Sequence, residues 1–185
     1  ALNKTDMKTG EADGLDLRLW SEAGKHLDLS ESMPVFVDAL AKLLPVNSVD
    51  IHELGADGTD LLWCAHWSAQ GGLQLRHQAH GCTPTAMRAL RGWAAQRQIL
   101  VHERNRAWPA PFAALDGFAP GDAALTGPLY AEGRLIGVVT ASLATDAGVA
   151  EAAQLERVLE PMAAALANDQ RLREIERLRA SAEAD

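Results

Sequence analysis

Apolar residues recur along this chain with a period near four at both ends and a period of two in the middle. Leu15, Leu19, Ala23 and Leu27 fall at four-residue steps and predict an amphipathic helix. The polar cluster Ser30-Glu31-Ser32 is expected to break and restart the chain. A second helix then places Phe36, Leu40, Leu43 and Leu44 on one side, with Pro34 near its start and Pro45 at its end. From Val49 the spacing changes. Val49, Ile51 and Glu53 alternate with Asp50, His52 and Leu54, which predicts a strand with two distinct faces. Gly55-Ala56-Asp57-Gly58 signals a turn, Leu61 to Trp67 a second strand, Gly71-Gly72 another turn, and Leu73 to Gln78 a third strand.

Thr83-Pro84 is a helix start, a hydroxyl cap followed by proline at the first helical position. Met87, Leu90 and Ala94 give that helix an apolar stripe, with Trp93 beside it. Ile99 to Glu103 predicts a fourth strand. Residues 105–120 carry Pro109, Pro111 and Pro120 with Trp108 and Phe112, and read as an irregular lid with at most a short helix. Leu125 to Tyr130 and Leu135 to Ser142 form a hairpin around Glu132-Gly133. From Ala147 the chain reads as one helix. Leu155, Leu159, Met162 and Leu166 follow a coiled-coil seam, and Leu172, Ile175 and Leu178 continue it after a phase slip. Pro161 interrupts that pattern, since an interior proline kinks a helix or starts a new one. Beyond Asn168 charges of both signs alternate, so the segment is expected to serve as a parallel dimer helix, the alternative being a solvated helix packed on its own domain.

Length and composition narrow this picture. At 185 residues and 48% hydrophobic content, one domain with extensions fits better than two. The expected boundaries are a disordered leader over 1–14, a compact domain over 15–146 and a helical extension over 147–185. A net charge of −8 argues against direct nucleic-acid contact, which depends on basic surface. No apolar run reaches the roughly 18 residues of a membrane span. Two cysteines, Cys64 and Cys82, do not make a disulfide framework, and a reducing cytoplasm is the expected compartment.

The order of elements, together with Gly127-Pro128-Leu129 and Gly133-Arg134-Leu135-Ile136-Gly137-Val138-Val139, resembles the closing hairpin of GAF domains. Met162 to Asn168 and Arg171 to Arg179 are similar to the family's final helix and its exit. That exit is similar to the linker of bacterial sigma-54-dependent transcription activators of the formate-hydrogenlyase-activator type. The resemblance implies an α+β fold: an antiparallel sheet of about five or six strands with helices on one face, a lid on the other and a long C-terminal helix. It also implies a non-enzymatic sensor that binds a small molecule between sheet and lid and drives a downstream ATPase, with a homodimer expected through the C-terminal helix; the alternatives are a metal- or redox-responsive sensor and a dimerisation module that binds no ligand. No phosphate-binding loop occurs in the chain itself.

In that frame Trp63, His66, Trp67, Trp93, His102 and Trp108 are the candidate pocket walls, with plain core packing as the alternative for the tryptophans. Strand alternation puts Trp63 and Trp67 on one face, and Cys64 and His66 on the other. Arg88, Arg91, Arg104 and Arg106 flank the cavity. A guanidinium holds carboxylate or phosphate in two-pronged fashion, so Arg91 and Arg104 are the candidate anchors if the ligand is an organic anion, a solvated helix-face or loop charge being the alternative for each. Cys64, His66, His77, His80 and Cys82 are donors for zinc, iron or copper, but their spacing is not that of a zinc finger. A buried thiol and loop histidines are the simpler reading, and neither ligand nor cofactor is identified. The cysteine pattern matches neither methionine-sulfoxide-reducing nor bilin-attaching GAF proteins, and no Asn-Lys-Phe-Asp-Glu-type cyclic-nucleotide signature is present.

Overall fold

Six antiparallel strands form one sheet in the order β3-β2-β1-β6-β5-β4. The computed structural model describes residues 17–21, 23–25, 28–109, 111–114 and 121–184. The expected leader, Leu15, Leu27 and Pro120 lie outside them. Helical residues at 17–21 and 23–25 precede α1 (Leu29–Leu43). The strands are β1 (Val46–Leu54), β2 (Asp60–Ser68), β3 (Gly72–Gly81), β4 (Leu100–His102), β5 (Ala123–Ala131) and β6 (Arg134–Leu143). Helix α2 (Pro84–Ala94) lies between β3 and β4, and α3 (Val149–Ala184) ends the chain. The expected α+β class, with a lid and a long terminal helix, is what the chain adopts.

Local chemistry accounts for most boundaries. Thr83 Oγ1 accepts from the Ala86 amide at 3.1 Å, the predicted cap. Glu132 and Gly133 both take positive φ (52° and 75°), the two-residue turn whose twist suits a hairpin. The break before α1 falls earlier than the serine cluster. Asp28 caps the helix by accepting from the Glu31 amide at 3.1 Å, so Ser30 and Ser32 belong to its first turn. Pro34 consequently lies inside α1 rather than at its start.

The two sheet faces bury different layers. On one, α1 and α3 cover Val49, Ile51, Ala65, Leu125, Leu129 and Val139 with Phe36, Leu40, Leu155, Met162 and Leu166. On the other, Leu61 and Val138 meet Met87 and Leu90 of α2 and Phe112 of the short 3-10 turn Phe112–Ala114. Leu155, Met162 and Leu166 are thus buried against their own domain, and the seam expected to face a second copy is already covered by sheet and α1. The helix runs through Pro161 without interruption for 36 residues, about 54 Å. Its covered part ends in a polar fastening. Asn168 donates to the Ala23 carbonyl at 3.0 Å, and Asp169 accepts from the Leu29 amide at 3.0 Å, satisfying a first-turn donor of α1. Arg173 grips Glu53 of β1 through both guanidinium nitrogens and Asp169 at 2.8 Å. Residues 174–184 are all exposed, with Ile175 and Leu178 presenting apolar surface. Among the described residues no helix is long and apolar enough to cross a membrane.

Candidate functional site

The lid face of the sheet is unusually polar for a buried surface. Cross-strand register places His66, Asp50, Thr140 and Thr126 in one row across β2, β1, β6 and β5. Trp63, His52 and Val138 form the next row. Asp50, His52, Thr126 and Thr140 are all essentially inaccessible to solvent. Asp50 Oδ1 accepts from Trp63 Nε1–H at 3.0 Å and pairs with His66 Nδ1 at 2.7 Å. With Asp50 ionised, His66 must carry its hydrogen on Nδ1. The other carboxylate oxygen, Oδ2, is buried with no partner among the described residues. The Thr126 and Thr140 hydroxyls bond each other at 3.0 Å. His52 packs against both Trp63 (ring centroids 6.2 Å apart) and His80 (5.8 Å), which are themselves 6.3 Å apart, and neither of its ring nitrogens has a hydrogen-bond partner among the described residues.

Burial sets the protonation of this row. It pushes the Asp50 carboxyl up to about 6, against the opposing hydrogen bond and charge of His66 and the Trp63 bond. Burial, and after it the positive charge His80 can carry, pushes His52 down to about 3. His102 is also lowered by burial, and its ring stacks on Trp108 with centroids 3.6 Å apart. Trp93 meets Phe112 edge-to-face at 4.9 Å, closing the apolar part of the lid.

These shifts carry a sign. The unfolded chain protonates His52 near 6.5 but the folded chain only near 3, so this group removes stability as pH falls through that window. Asp50 acts oppositely: its raised folded pKa adds stability as pH falls from about 6 towards 3.8. His52→Leu deletes two unpartnered nitrogens and is expected to stabilise the chain by about 1 kcal/mol at pH 7. Its advantage over wild type should grow by about 1.4 kcal/mol per pH unit below 6.5. Urea unfolding at pH 7, 6 and 5 reads this directly; an advantage independent of pH would show that His52 is not held neutral.

Strand alternation alone misplaces β2. Ile51 pairs with Ala65 and His52 with Trp63, so Cys64 is an extra residue in a β-bulge. The bulge reverses the phase. Trp63 and His66 share the lid face, while Cys64 and Trp67 pack with the helix-side core. The Cys64 thiol donates to the Ile51 carbonyl at 3.2 Å, and burial pushes it well above the usual thiol range. Cys64 and His66 therefore cannot serve one metal. Among the described residues no group of three or more His, Cys, Asp or Glu side chains is placed to hold one.

Of the sequence-derived residues, Trp63, His66, Trp93, His102 and Trp108 reach the lid side, and Trp67, Arg91 and Arg104 do not. Arg91 donates to the Gly58 carbonyl at 2.8 Å, tying α2 to the β1–β2 turn. Arg104 donates to the Ala144 carbonyl at 2.9 Å and pairs with Asp122 and Asp146, fastening the strand ends. Both proposed anion anchors are thus engaged as braces. Asp50, His52, Thr126 and Thr140 were missed as site residues, although the alternation along β1 already set Asp50 and His52 apart from Val49 and Ile51. Two cavities of about 420 and 300 Å³ lie along α3 beside Trp20 and Tyr130, away from the lid.

No protein-family model matches the chain, and no curated protein matches it. Solved structures do. The far-red absorbing dark state of JSC1_58120g3 with bound biliverdin IXa is similar with a TM-score of 0.62 at 16% identity, over 84% of this chain and 99% of that one. The GAF domain from an Acinetobacter phosphoenolpyruvate-protein phosphotransferase is similar with a TM-score of 0.61 at 15% identity, over 91% and 96%. A free methionine-R-sulfoxide reductase from Neisseria meningitidis in complex with its substrate gives 0.58 at 16%, over 89% and 93%. Sheet order, lid, covering helices and these likenesses agree: the chain has the GAF fold.

Proposed function

We infer that the chain is a sensory and regulatory module, a small-molecule receptor whose state leaves through α3. In this reading residues 15–146 are the sensor and 147–185 the output helix, working in the cytoplasm as a homodimer without touching nucleic acid itself. The downstream partner is the ATPase of a bacterial transcription activator of the sigma-54-dependent type. One observation carries the sensory reading. Strand β1 presents Asp50 and His52 to the lid face and, at the next position, Glu53 to Arg173, where α3 leaves the domain. A shift of β1 on ligand binding would be felt at the fastening of the output helix, provided the ligand binds the two arrangements unequally.

An enzymatic role has weaker support. Both thiols are held protonated, Cys64 and Cys82 each pushed up chiefly by burial, so neither is an activated nucleophile. A thermal-shift screen of small molecules on the whole chain tests the sensory reading, because a ligand of the folded state raises stability by mass action. A saturable shift that also alters exchange protection over 168–184 supports it. A hit that leaves that segment unchanged counts against signalling through α3.

The dimer rests on the free end of α3. Ile175 and Leu178 are about half exposed on one side of a helix that has left its own core. The double change Ile175→Glu with Leu178→Glu is expected to shift sedimentation from dimer to monomer while leaving the unfolding midpoint of the sensor unchanged. Wild-type protein that sediments as a monomer at 100 µM would refute the pairing.

A further inference from the structure

We propose that the lid-face site, if it is the sensory pocket inferred above, takes a small organic cation, an aromatic amine or similar nitrogen base, with Asp50 Oδ2 as its hydrogen-bond acceptor. For an organic anion the sequence offered Arg91 or Arg104 as anchor, but Arg91 donates to the Gly58 carbonyl, and Arg104 donates to the Leu143 and Ala144 carbonyls and pairs with Asp122 and Asp146. The floor of the lid face instead carries a buried carboxylate. Both donors that reach Asp50, Trp63 Nε1–H and His66 Nδ1–H, go to Oδ1, leaving Oδ2 as a buried acceptor with no partner among the described residues. Such an oxygen is costly to leave dry, and an N–H group on a positive ligand is its strongest available complement.

The surroundings favour the same ligand class. The groups facing Asp50 across the sheet are the Thr140 and Thr126 hydroxyls, which are neutral, and His52, held neutral by its burial. His66 and Arg76 are the cationic or titratable neighbours that act on the carboxylate from β2 and β3. Arg76 is itself occupied, stacked over Trp63 at 4.2 Å and bonded to Gln74. The residues that α2 buries are Met87, Leu90 and Ala94, none of them charged. Trp93 and Trp108 add aromatic rings on the lid side, and aromatic rings attract cations as well as flat ligands.

The test uses the whole chain and four probes: benzylamine, phenethylamine, neutral benzyl alcohol and anionic phenylacetate. Tryptophan fluorescence and thermal shift at pH 7.5 are expected to show saturable binding of the amines only, at least tenfold weaker in Asp50→Asn. Should that variant unfold, carboxyl ¹³C NMR of wild type decides: benzylamine must shift the Asp50 titration midpoint downwards. Equal amine affinity in Asp50→Asn, an unmoved midpoint, or no response to either amine overturns the proposal, the last including a carboxylate satisfied by water alone. Binding of phenylacetate instead overturns the cation but leaves the sensory reading intact. A ligand of any other class that couples to α3 without Asp50 does the same.

Discussion

Replacing Arg173 with alanine is expected to destabilise the chain by about 3 kcal/mol, which for a domain of this size lowers Tm by roughly 6–12 °C. The magnitude comes from what is left behind. Glu53 is 3% exposed and receives both terminal guanidinium nitrogens of Arg173; without them, only the Gln170 amide at 3.3 Å remains among the described residues. An uncompensated buried carboxylate costs about 3–5 kcal/mol, and the partial exposure of Arg173 places the effect at the lower end. The same substitution frees Asp169, which also accepts from the Leu29 amide at the start of α1. Arg173→Lys keeps the charge but not the two-pronged grip, and should recover less than half of the loss. Arg177→Ala is the control. Its pair with Glu174 is exposed on both sides, and surface pairs of this kind are worth about 0.2–1 kcal/mol. Equal midpoints for Arg173→Ala and Arg177→Ala in urea would show that the fastening contributes nothing.

The fastening matters for more than stability because of where β1 puts it. Consecutive residues of a strand point to opposite faces, so Asp50 and His52 look to the lid while Ile51 and Glu53 look to the helices. No long relay is needed between the two sides. In the proposed sensory reading, a displacement of β1 by a fraction of an ångström at His52 would be passed one residue later to Glu53. The Arg173 pair is geometrically strict, because both nitrogens must meet both oxygens. Weakening it should free residues 168–173 from the domain without unfolding the sheet, and amide exchange over that segment would report it.

Much of this fold was legible in the sequence, because the signals that specify it are local. A threonine cap before proline, a two-residue turn at Glu132-Gly133 and clean alternation along β1 each act within a few residues, and each appears where the pattern put it. What failed depended on contacts distant in sequence. The faces of β2 reversed because Cys64 forms a bulge, and a single inserted residue inverts every side chain beyond it. The stripe on α3 was visible, but periodicity says only that a face is covered, and its own sheet covers it. Arg91 and Arg104 stood out as cations flanking the cavity, with a solvated charge as the alternative, while the carbonyls they bond were not visible in the sequence. Asp50 and His52 went unremarked for the opposite reason. A polar residue on one face of an alternating strand is ordinarily solvent-facing, and these two are buried among side chains of other strands, Trp63, His66 and His80.

Gly137→Ala is expected to cost about 3 kcal/mol, more than alanine at any other glycine of the sheet core. The neighbours close on Gly137 from two sides. A methyl group there would stand 2.5 Å from the His52 carbonyl oxygen, 3.0 Å from Leu166 Cδ2 and 3.3 Å from Glu53 Cα. Two of those three neighbours are backbone of β1, which is pinned by β2 on its other side and cannot yield cheaply. Gly127 offers the comparison. The three atoms nearest to a methyl group there all belong to Leu159, the closest at 2.6 Å, and that half-buried side chain can turn away, so about 1 kcal/mol is expected. The two sites should also answer differently to relief. Leu159→Ala should remove most of the added cost of Gly127→Ala, whereas Leu166→Ala should leave that of Gly137→Ala nearly unchanged, because the carbonyl remains. If Leu166→Ala did rescue Gly137→Ala, β1 would be free to move away from β6. Glu53 could then shift without moving the residues around His52, and a displacement at the lid face would no longer have to reach Arg173.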